Sequence, residues 1–571
     1  MLNDLYTPAG AALSGTPWDC YPRPQLKRDN YVNLNGLWDF ATGRDVLPER
    51  YDRQILVPFC PESLLSGLHM EVQPGSWLYY RKTLTLPAGN WLLHIGAADQ
   101  ITRIYGNGTL LGEHTGGYTA FTVALPAGEW ELVIGVFDDL RLKTLPYGKQ
   151  TLRRGGMWYT PVSGIWQTVW LEQVPEQYIE KLDIQVTLEY AAITVHPAQD
   201  GAVVCEGKRY PLENGTAKVY PENPHLWTPE DPHLYSFTVE TPTDRVESYF
   251  ALRTLEIKPC NGIPRLCLNG QPYFFHGLLD QGYWSDGIYT PAAPQCYAED
   301  ILAMKGLGFN TLRKHIKVEP EQFYYDCDRL GMIVFQDMVN NGDYSFLRDT
   351  ALPTVGIQKR NDRRLHRDEA TRAAFLQCME ETVAQLKNHP CICCWTIFNE
   401  GWGQFDSAAC YEKLRALDST RFIDATSGWF RGSATDVDSR HIYFSPWSTL
   451  QPGKKPLVLS EFGGFAYAEP GHLFNESKSY GYKTCKTKEQ FQTALSELYV
   501  TKVYPAVERG LCAAILTQVS DVEDEINGLL TYDRRICKAD ETAMTQIADA
   551  LRHAFLTSCG LPTDTDPSPA D

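Results

Sequence analysis

The chain has 571 residues, more than one hydrophobic core can serve, so roughly three or four domains are expected. Its 52 Lys and Arg against 70 Asp and Glu leave a formal net charge of −18, which argues against nucleic acid and anionic membranes as partners. Aromatic residues make up 12% of the chain, with 14 Trp and 31 Tyr; such rings fill β-sandwich cores and also stack on the C–H faces of sugars.

The N-terminus, MLNDLYTPAG, shows neither the basic start nor the apolar stretch of a secretory leader. No run approaches the roughly 18 apolar residues of a membrane span. The 16 Cys are scattered, several in apolar runs such as Cys391, Cys393 and Cys394. That pattern fits reduced, buried thiols and a cytoplasmic location. Cys and His show no zinc-binding spacing, so no metal is expected.

Residues 1–175 read as β-rich. Strands such as Trp91–Ile95 and Glu131–Phe137 alternate with turn signals at Pro87-Ala-Gly, Gly106-Asn-Gly and Pro126-Ala-Gly, which predicts a jelly-roll sandwich. Residues 176–258 are again strand-like, from Ile179 to Val186 and from Tyr235 to Val239, and their length suits an Ig-like β-sandwich. From residue 259 to 560 short apolar runs alternate with amphipathic helices, the mark of βα units. Eight strands are read at Tyr273–Leu278, Thr311–Lys314, Met332–Gln336, Ile392–Phe398, Phe422–Ser427, His441–Phe444, Leu457–Ser460 and Ala513–Gln518, which predicts a (β/α)8 TIM barrel. Phe375, Met379, Val383 and Leu386 share one helical face, and the pattern stops at Asn388-His389-Pro390. The end of the chain, from about Thr557 and including 561–571, reads as a disordered tail.

Reactive groups of such barrels sit at the C-terminal ends of strands. The fourth strand runs into Asn399-Glu400-Gly401-Trp402 and the seventh into Glu461-Phe462-Gly463. A carboxylate ending an apolar run must be paired or functional, because its desolvation is costly. Two of them suit glycoside hydrolysis, in which one carboxyl protonates the leaving oxygen and the other attacks the anomeric carbon. Asn399 is placed to bond a sugar 2-hydroxyl.

The segment Asn388-His-Pro-Cys-Ile-Cys-Cys-Trp395-Thr-Ile-Phe-Asn399-Glu400 resembles the acid/base signature of glycoside hydrolase family 2, the β-galactosidases, β-glucuronidases and β-mannosidases. Asn33-Leu-Asn-Gly36-Leu-Trp38-Asp-Phe, Trp77-Leu-Tyr-Tyr80-Arg81, Gly116-Gly117-Tyr118 and Gly164-Ile-Trp166 resemble that family's N-terminal domain. Phe250-Ala-Leu-Arg253-Thr254 resembles the end of its Ig-like domain, and Gly308-Phe-Asn310-Thr-Leu-Arg313 its second barrel strand. The resemblance implies a retaining exo-β-glycosidase with no cofactor, acting on an oligosaccharide or other glycoside. It makes Glu400 the acid/base and Glu461 the nucleophile, gives Arg313 and Tyr443 the support of the nucleophile, and leaves homo-oligomerisation open. His441, Asp280, Trp284, Trp429 and Gln518 are candidate sugar contacts, each with a structural role as the alternative.

Three departures from the family pattern fall on the pocket: Lys314-His315-Ile-Lys317 after Arg313, Leu278-Leu-Asp280 after the first strand, and Thr517-Gln518-Val-Ser-Asp521 after the eighth. They leave the sugar open, not the reaction. Family members that cleave glucuronides carry an Asn-x-Lys element where this chain has Glu525-Ile526-Asn527, with Asp521, Glu523 and Asp524 just upstream and Arg534 and Lys538 beyond. The expectation is therefore a terminal neutral sugar, β-galactosides foremost. An α-L-arabinopyranosidase, a β-mannosidase, a β-glucuronidase and a non-catalytic carbohydrate-binding protein are the alternatives.

Overall fold

The computed structural model describes residues 2–354, 357, 361–444 and 446–563. Its N-terminal part is an eight-stranded antiparallel sheet folded on itself around Trp38, Phe40, Leu78, Tyr80, Ile104 and Ile134. Two long strands, Ser76–Ile95 and Phe121–Asp138, pair along almost their whole length. The Pro87-Ala-Gly and Pro126-Ala-Gly segments, expected as turns, are instead interior to these strands. The register shifts between Leu86 and Asn90, so the prolines mark a bulge that bends the strands and wraps the sheet. Gly106-Asn107-Gly108 is the turn expected, with Asn107 at φ +48° and Gly108 at φ +79° joining Ile101–Gly106 to Thr109–Thr115.

The second part packs a three-stranded sheet (Lys181–Val186, Ala191–His196, Thr216–Val219) on a four-stranded one (Ala202–Cys205, Lys208–Pro211, Tyr235–Glu240, Arg245–Phe250). Ile193, Val203, Phe237 and Phe250 fill the space between. A small antiparallel meander, Leu255–Cys260, Ile263–Leu268 and Gln271–Pro272, follows. Its short strands carry no periodicity that sets it apart from the domains on either side. Arg265 in it donates to the carbonyl of Leu511, the first residue of the last barrel strand.

The eight barrel strands are Phe275–Asp280, Thr311–Lys314, Ile333–Asp337, Ile392–Asn399, Phe422–Ser427, Asp438–Ile442, Leu457–Gly463 and Leu511–Thr517. They pair in the spatial order five, four, three, two, one, eight, seven, six. No ladder is recorded between the fifth and sixth strands among the described residues. Hydroxyls close that seam: Ser427 lies 3.3 Å from Ser439 and 2.9 Å from Ser460, and Ser439 lies 2.6 Å from Ser460. The helix Glu369–Leu386 buries Phe375, Met379, Val383 and Leu386, the face read from the sequence, and Asp368 caps it by accepting from the Thr371 amide at 2.8 Å. The last helix, Glu541–Cys559, runs through Thr557 and ends at Gly560, so the tail starts later than first expected: Phe555 and Cys559 still pack on the barrel. Residues 564–571 lie outside the described residues.

The Ig-like part grips the start of the strand that carries Glu400. Arg253 donates to the Pro390 carbonyl at 2.6 and 3.0 Å and to the Ile392 carbonyl at 2.9 Å. Buried Asp328 accepts from Tyr249, His389 and the Cys391 amide at 2.7, 2.7 and 2.8 Å. A second buried network fixes the N-terminal segment. Glu172 accepts from Tyr21 at 2.7 Å and from Arg23 at 3.0 Å, and pairs with Arg28 at 3.1 Å. Burial alone would raise the Glu172 pKa, but Arg23, His94, Arg28 and Tyr21 outweigh it and hold the carboxyl at about 2. A depressed carboxyl stabilises fully above its unfolded pKa and loses that contribution as pH falls through the folded value. Glu172→Gln is therefore expected to cost about 3 kcal/mol at pH 7. The difference from the parent should shrink between about pH 4.5 and 2; denaturant titrations across pH measure it, and a pH-independent difference refutes the assignment.

Candidate active site

Arg313, at the end of the second strand, is 1% exposed and organises the barrel mouth. Its Nε donates to Asp337 Oδ1 at 3.0 Å, and Nη2 reaches Asp337 Oδ2 and Asn399 Oδ1, each at 2.9 Å. Nη1 donates to Glu461 Oε1 at 3.0 Å and to the Ser460 carbonyl at 3.1 Å. All five guanidinium donors are thus engaged, on groups from the third, fourth and seventh strands. Burial would lower the Arg313 pKa, but Asp337 and Glu461 override it and the group stays charged.

The other oxygen of Glu461 accepts from Tyr443 Oη at 2.8 Å, and that hydroxyl lies 2.8 Å from Thr517 Oγ1 at the end of the eighth strand. Burial opposes ionisation of Glu461, but its neighbours, His441 and Arg313 foremost, hold its pKa below the ordinary carboxyl value. Glu400 follows the fourth strand in a left-handed conformation, φ +51°, with Gly401 at φ +76° behind it. A non-glycine residue held there carries of order 1–3 kcal/mol of strain. Its amide donates to the Ser427 carbonyl at 2.9 Å and its Oε1 lies 2.9 Å from His441 Nδ1. His441 Nε2 lies 2.9 Å from Ser427 Oγ and 3.4 Å from Arg313 Nη1, so both ring nitrogens are engaged.

Ligand atoms of Glu400, His441 and Glu461 all lie within 4.8 Å of one another. A cation would accept that spacing, but His441 already bonds Glu400, and Glu461 is held by Arg313 and Tyr443, so the trio is organised without one. One oxygen of Glu400 and one of Glu461 thus lie closer together than the about 6.5–9.5 Å that separates the carboxyls of an inverting pair.

Of the residues singled out from the sequence, Asn399, Glu400, Arg313, His441, Tyr443 and Glu461 form one bonded cluster. Trp429 flanks it, its ring 5.9 Å from His441. Three others are engaged elsewhere. Asp280 pairs with Lys314 at 2.5 Å, which also binds Glu319. Trp284 is buried with Arg534 stacked 4.1 Å from its ring, so it is core rather than a sugar platform. Gln518 is fully buried and accepts from Gln281 at 2.8 Å.

The charges around Glu525 also need correction. Asp521 pairs with Lys538 at 2.7 Å, and Asp524 and Glu523 share Arg154 at 3.0 and 3.6 Å, so two cations offset part of the charge of these three acids. Lys538 and Arg534, the two cations considered from the sequence, are both committed, the latter to Asp300 and the Tyr532 carbonyl. Glu525 accepts instead from Tyr159 at 2.5 Å and Asn527 at 2.9 Å.

Several participants were not read from the sequence. Asp337 ends the third strand, and that position was its signal. His315, placed at the pocket by the sequence but given no role there, donates to Asp337 across 2.7 Å, and burial depresses its pKa to about 4, leaving a neutral ring. Trp402 stacks 5.2 Å from Trp158 and lies 5.6 Å from Tyr344, and Tyr482 stacks 3.9 Å from Tyr443; these rings wall the site. Lys149 reaches the site from the N-terminal sandwich, and nothing in its local sequence marks it.

Comparison with known proteins places this geometry. The model of the glycosyl hydrolases family 2 TIM barrel domain matches residues 264–552, and a second family 2 model matches 178–253. A β-galactosidase of Oenococcus oeni is 26% identical over 53% of this chain, but the match spans only 32% of that protein. A β-glucuronidase of Felis catus is 24% identical over 82% of this chain and 85% of its own length. Among solved structures, a β-glucuronidase of an uncultured Clostridium sp. covers 93% of this chain and 99% of its own at a TM-score of 0.71 and 18% identity. A family 2 β-galacturonidase from Eisenbergiella tayi bound to galacturonate covers the same shares at 0.67 and 20%. At such identities the structures speak for the fold alone. With a family model spanning half the chain and a second on the preceding domain, the chain belongs to glycosyl hydrolases family 2.

Proposed function

We propose that this protein is a retaining exo-β-glycosidase that removes terminal neutral sugars, β-galactosides foremost, by double displacement. The observation that carries the reading is the unequal treatment of two carboxyls within 4.8 Å. Glu461 is held ionised, with the neighbouring His441 and Arg313 outweighing its burial and Tyr443 donating a hydrogen bond to it, as a nucleophile must be. Glu400 bonds the His441 ring and, among the described residues, no guanidinium or ammonium, as suits a group that must gain and lose a proton. In the first step Glu461 attacks the anomeric carbon while Glu400 gives its proton to the leaving oxygen. In the second Glu400 takes a proton from water as that water displaces Glu461. Asn399, its oxygen fixed by Arg313, presents its amide N–H to the sugar 2-hydroxyl.

Charge supports a neutral sugar. Arg313 and Lys149 face Asp337, Glu461 and Glu525, so acids outnumber cations at the mouth before a substrate enters, although burial raises the Glu525 pKa. One further carboxylate near Glu525 meets a penalty on the order of 1 kcal/mol even when solvent-screened. Lys149 is the feature that favours a second reading, a uronoside, in keeping with the names of the structural neighbours.

Glu461→Ala should form no glycosyl-enzyme. Glu400→Ala should accumulate it from a dinitrophenyl glycoside and release a β-glycosyl azide when azide is added; azide rescue of the Glu461 variant with the same anomer reverses the roles. Aryl β-galactoside should exceed aryl β-glucuronide in kcat/KM, and the opposite order establishes the uronoside reading. Arg313→Met should lower kcat at least about a hundredfold, because it strands buried Asp337 and Glu461. It should also move the acid limb of the pH profile upward, since Glu461 loses a cation that keeps it ionised; an unmoved limb contradicts this role.

A further inference from the structure

Lys149 is 6% exposed, yet among the described residues its ammonium has no hydrogen-bond or ion-pair partner. It sits 4.9 Å from the Trp402 ring and 6.0 Å from the Tyr159 ring, contacts that satisfy none of its three N–H donors. Tyr159 in turn donates to Glu525, and Trp402 lies two residues beyond Glu400, so the ammonium stands beside the Glu525 carboxyl on the side of the catalytic cluster. Burial holds its pKa below the ordinary lysine value, which marks the cost of leaving it unpaired.

Its position is built rather than incidental. Tyr147 donates its amide to the Asn340 carbonyl at 3.0 Å and its hydroxyl to the Gly342 carbonyl at 2.8 Å, docking the sandwich loop on the barrel. Gly148 follows at φ +64°, where a Cβ would come within 2.9 Å of the Ile316 carbonyl. Only glycine permits that approach, and it delivers the next side chain inward. Glu525 arrives from the loop after the eighth strand. Each of its oxygens has one partner, Tyr159 or Asn527, and keeps capacity for another donor.

The fourth and eighth strands lie on opposite sides of the barrel. With Asn399 on the 2-hydroxyl, the ring edge turned toward the eighth strand is the one across from C2, which carries O4 and O6. We propose that Lys149 and Glu525 form a sugar-reading pair: a hydroxyl on that edge accepts from Lys149 Nζ and donates to Glu525. The pair rests on the neutral-sugar glycosidase reading, and it gives the sandwich domain a direct part in substrate choice.

The test compares aryl β-D-galactoside with its 2-deoxy, 4-deoxy and 6-deoxy analogues on the parent, Lys149→Met, Lys149→Arg and Glu525→Gln, with thermal melts to check folding. Lys149→Met should lower kcat/KM on the galactoside roughly tenfold to hundredfold, the size of a hydrogen bond to a charged group. The loss should persist on the 2-deoxy analogue and shrink to about twofold on the 4-deoxy or the 6-deoxy substrate, whichever lacks the bridged hydroxyl. Lys149→Arg should recover part of the loss, and Glu525→Gln should show the same substrate pattern. Equal losses on all four substrates, or no loss on the galactoside, overturn the pair. If the parent cleaves no galactoside, the neutral-sugar reading has failed separately. The variants are then read on the glycoside that the parent does cleave, where an unchanged kcat/KM for Lys149→Met overturns the pair.

Discussion

A guanidinium buried in a protein interior is tolerable only if its donors are satisfied and its charge is met. Arg313 meets both conditions through Asp337, Asn399, Glu461 and the Ser460 carbonyl, and each partner comes from a different strand end or its neighbour. The site is therefore the solution to one desolvation problem. Closing the barrel brings the partners to Arg313, and Arg313 in turn fixes the orientation of Asn399 and Glu461. A lysine in its place could not serve a planar set of five acceptor contacts.

The two β-domains act on that site from opposite ends of the barrel. From behind, Arg253 and Tyr249 secure the residues where the fourth strand begins, and Glu400 stands where it ends. A strand rigidly held at its start transmits that constraint along its ladder to a strained terminal residue. From the front, the sandwich loop at Tyr147 and Gly148 brings Lys149 over Trp402. The architecture thus separates placing the carboxyls from reading what lies against them.

Local pairing, rather than total charge, sets the electrostatics of the mouth. The chain carries a formal charge of −18, and the loop from Asp521 to Glu525 holds four acids. Asp521 is paired with Lys538, Glu523 and Asp524 share Arg154, and Glu525 is held by neutral donors. Counting charges along the loop would overstate its repulsion of an anion.

The sequence by itself determined the order of folds, the eight barrel strands to within a few residues, and the two glutamates with Asn399 and Arg313. The strands, the two glutamates and Asn399 follow from periodicity and from strand-end position, properties of contiguous residues that need no partner to be legible, whereas Arg313 was marked by its likeness to the family's second-strand motif. It misread Pro87-Ala-Gly and Pro126-Ala-Gly as turns, because a proline within a short run signals a break unless the far strand that accommodates its bulge is known. Tertiary structure alone decided that Asp280, Trp284 and Gln518 face Lys314, Arg534 and Gln281 instead of the central cluster. It alone decided that Lys149, carried by another domain, stands near Glu525, Glu461 and Glu400. Such pairings join residues far apart along the chain, and the energy that selects them, the cost of burying a charge without a partner, exists only once the chain has folded.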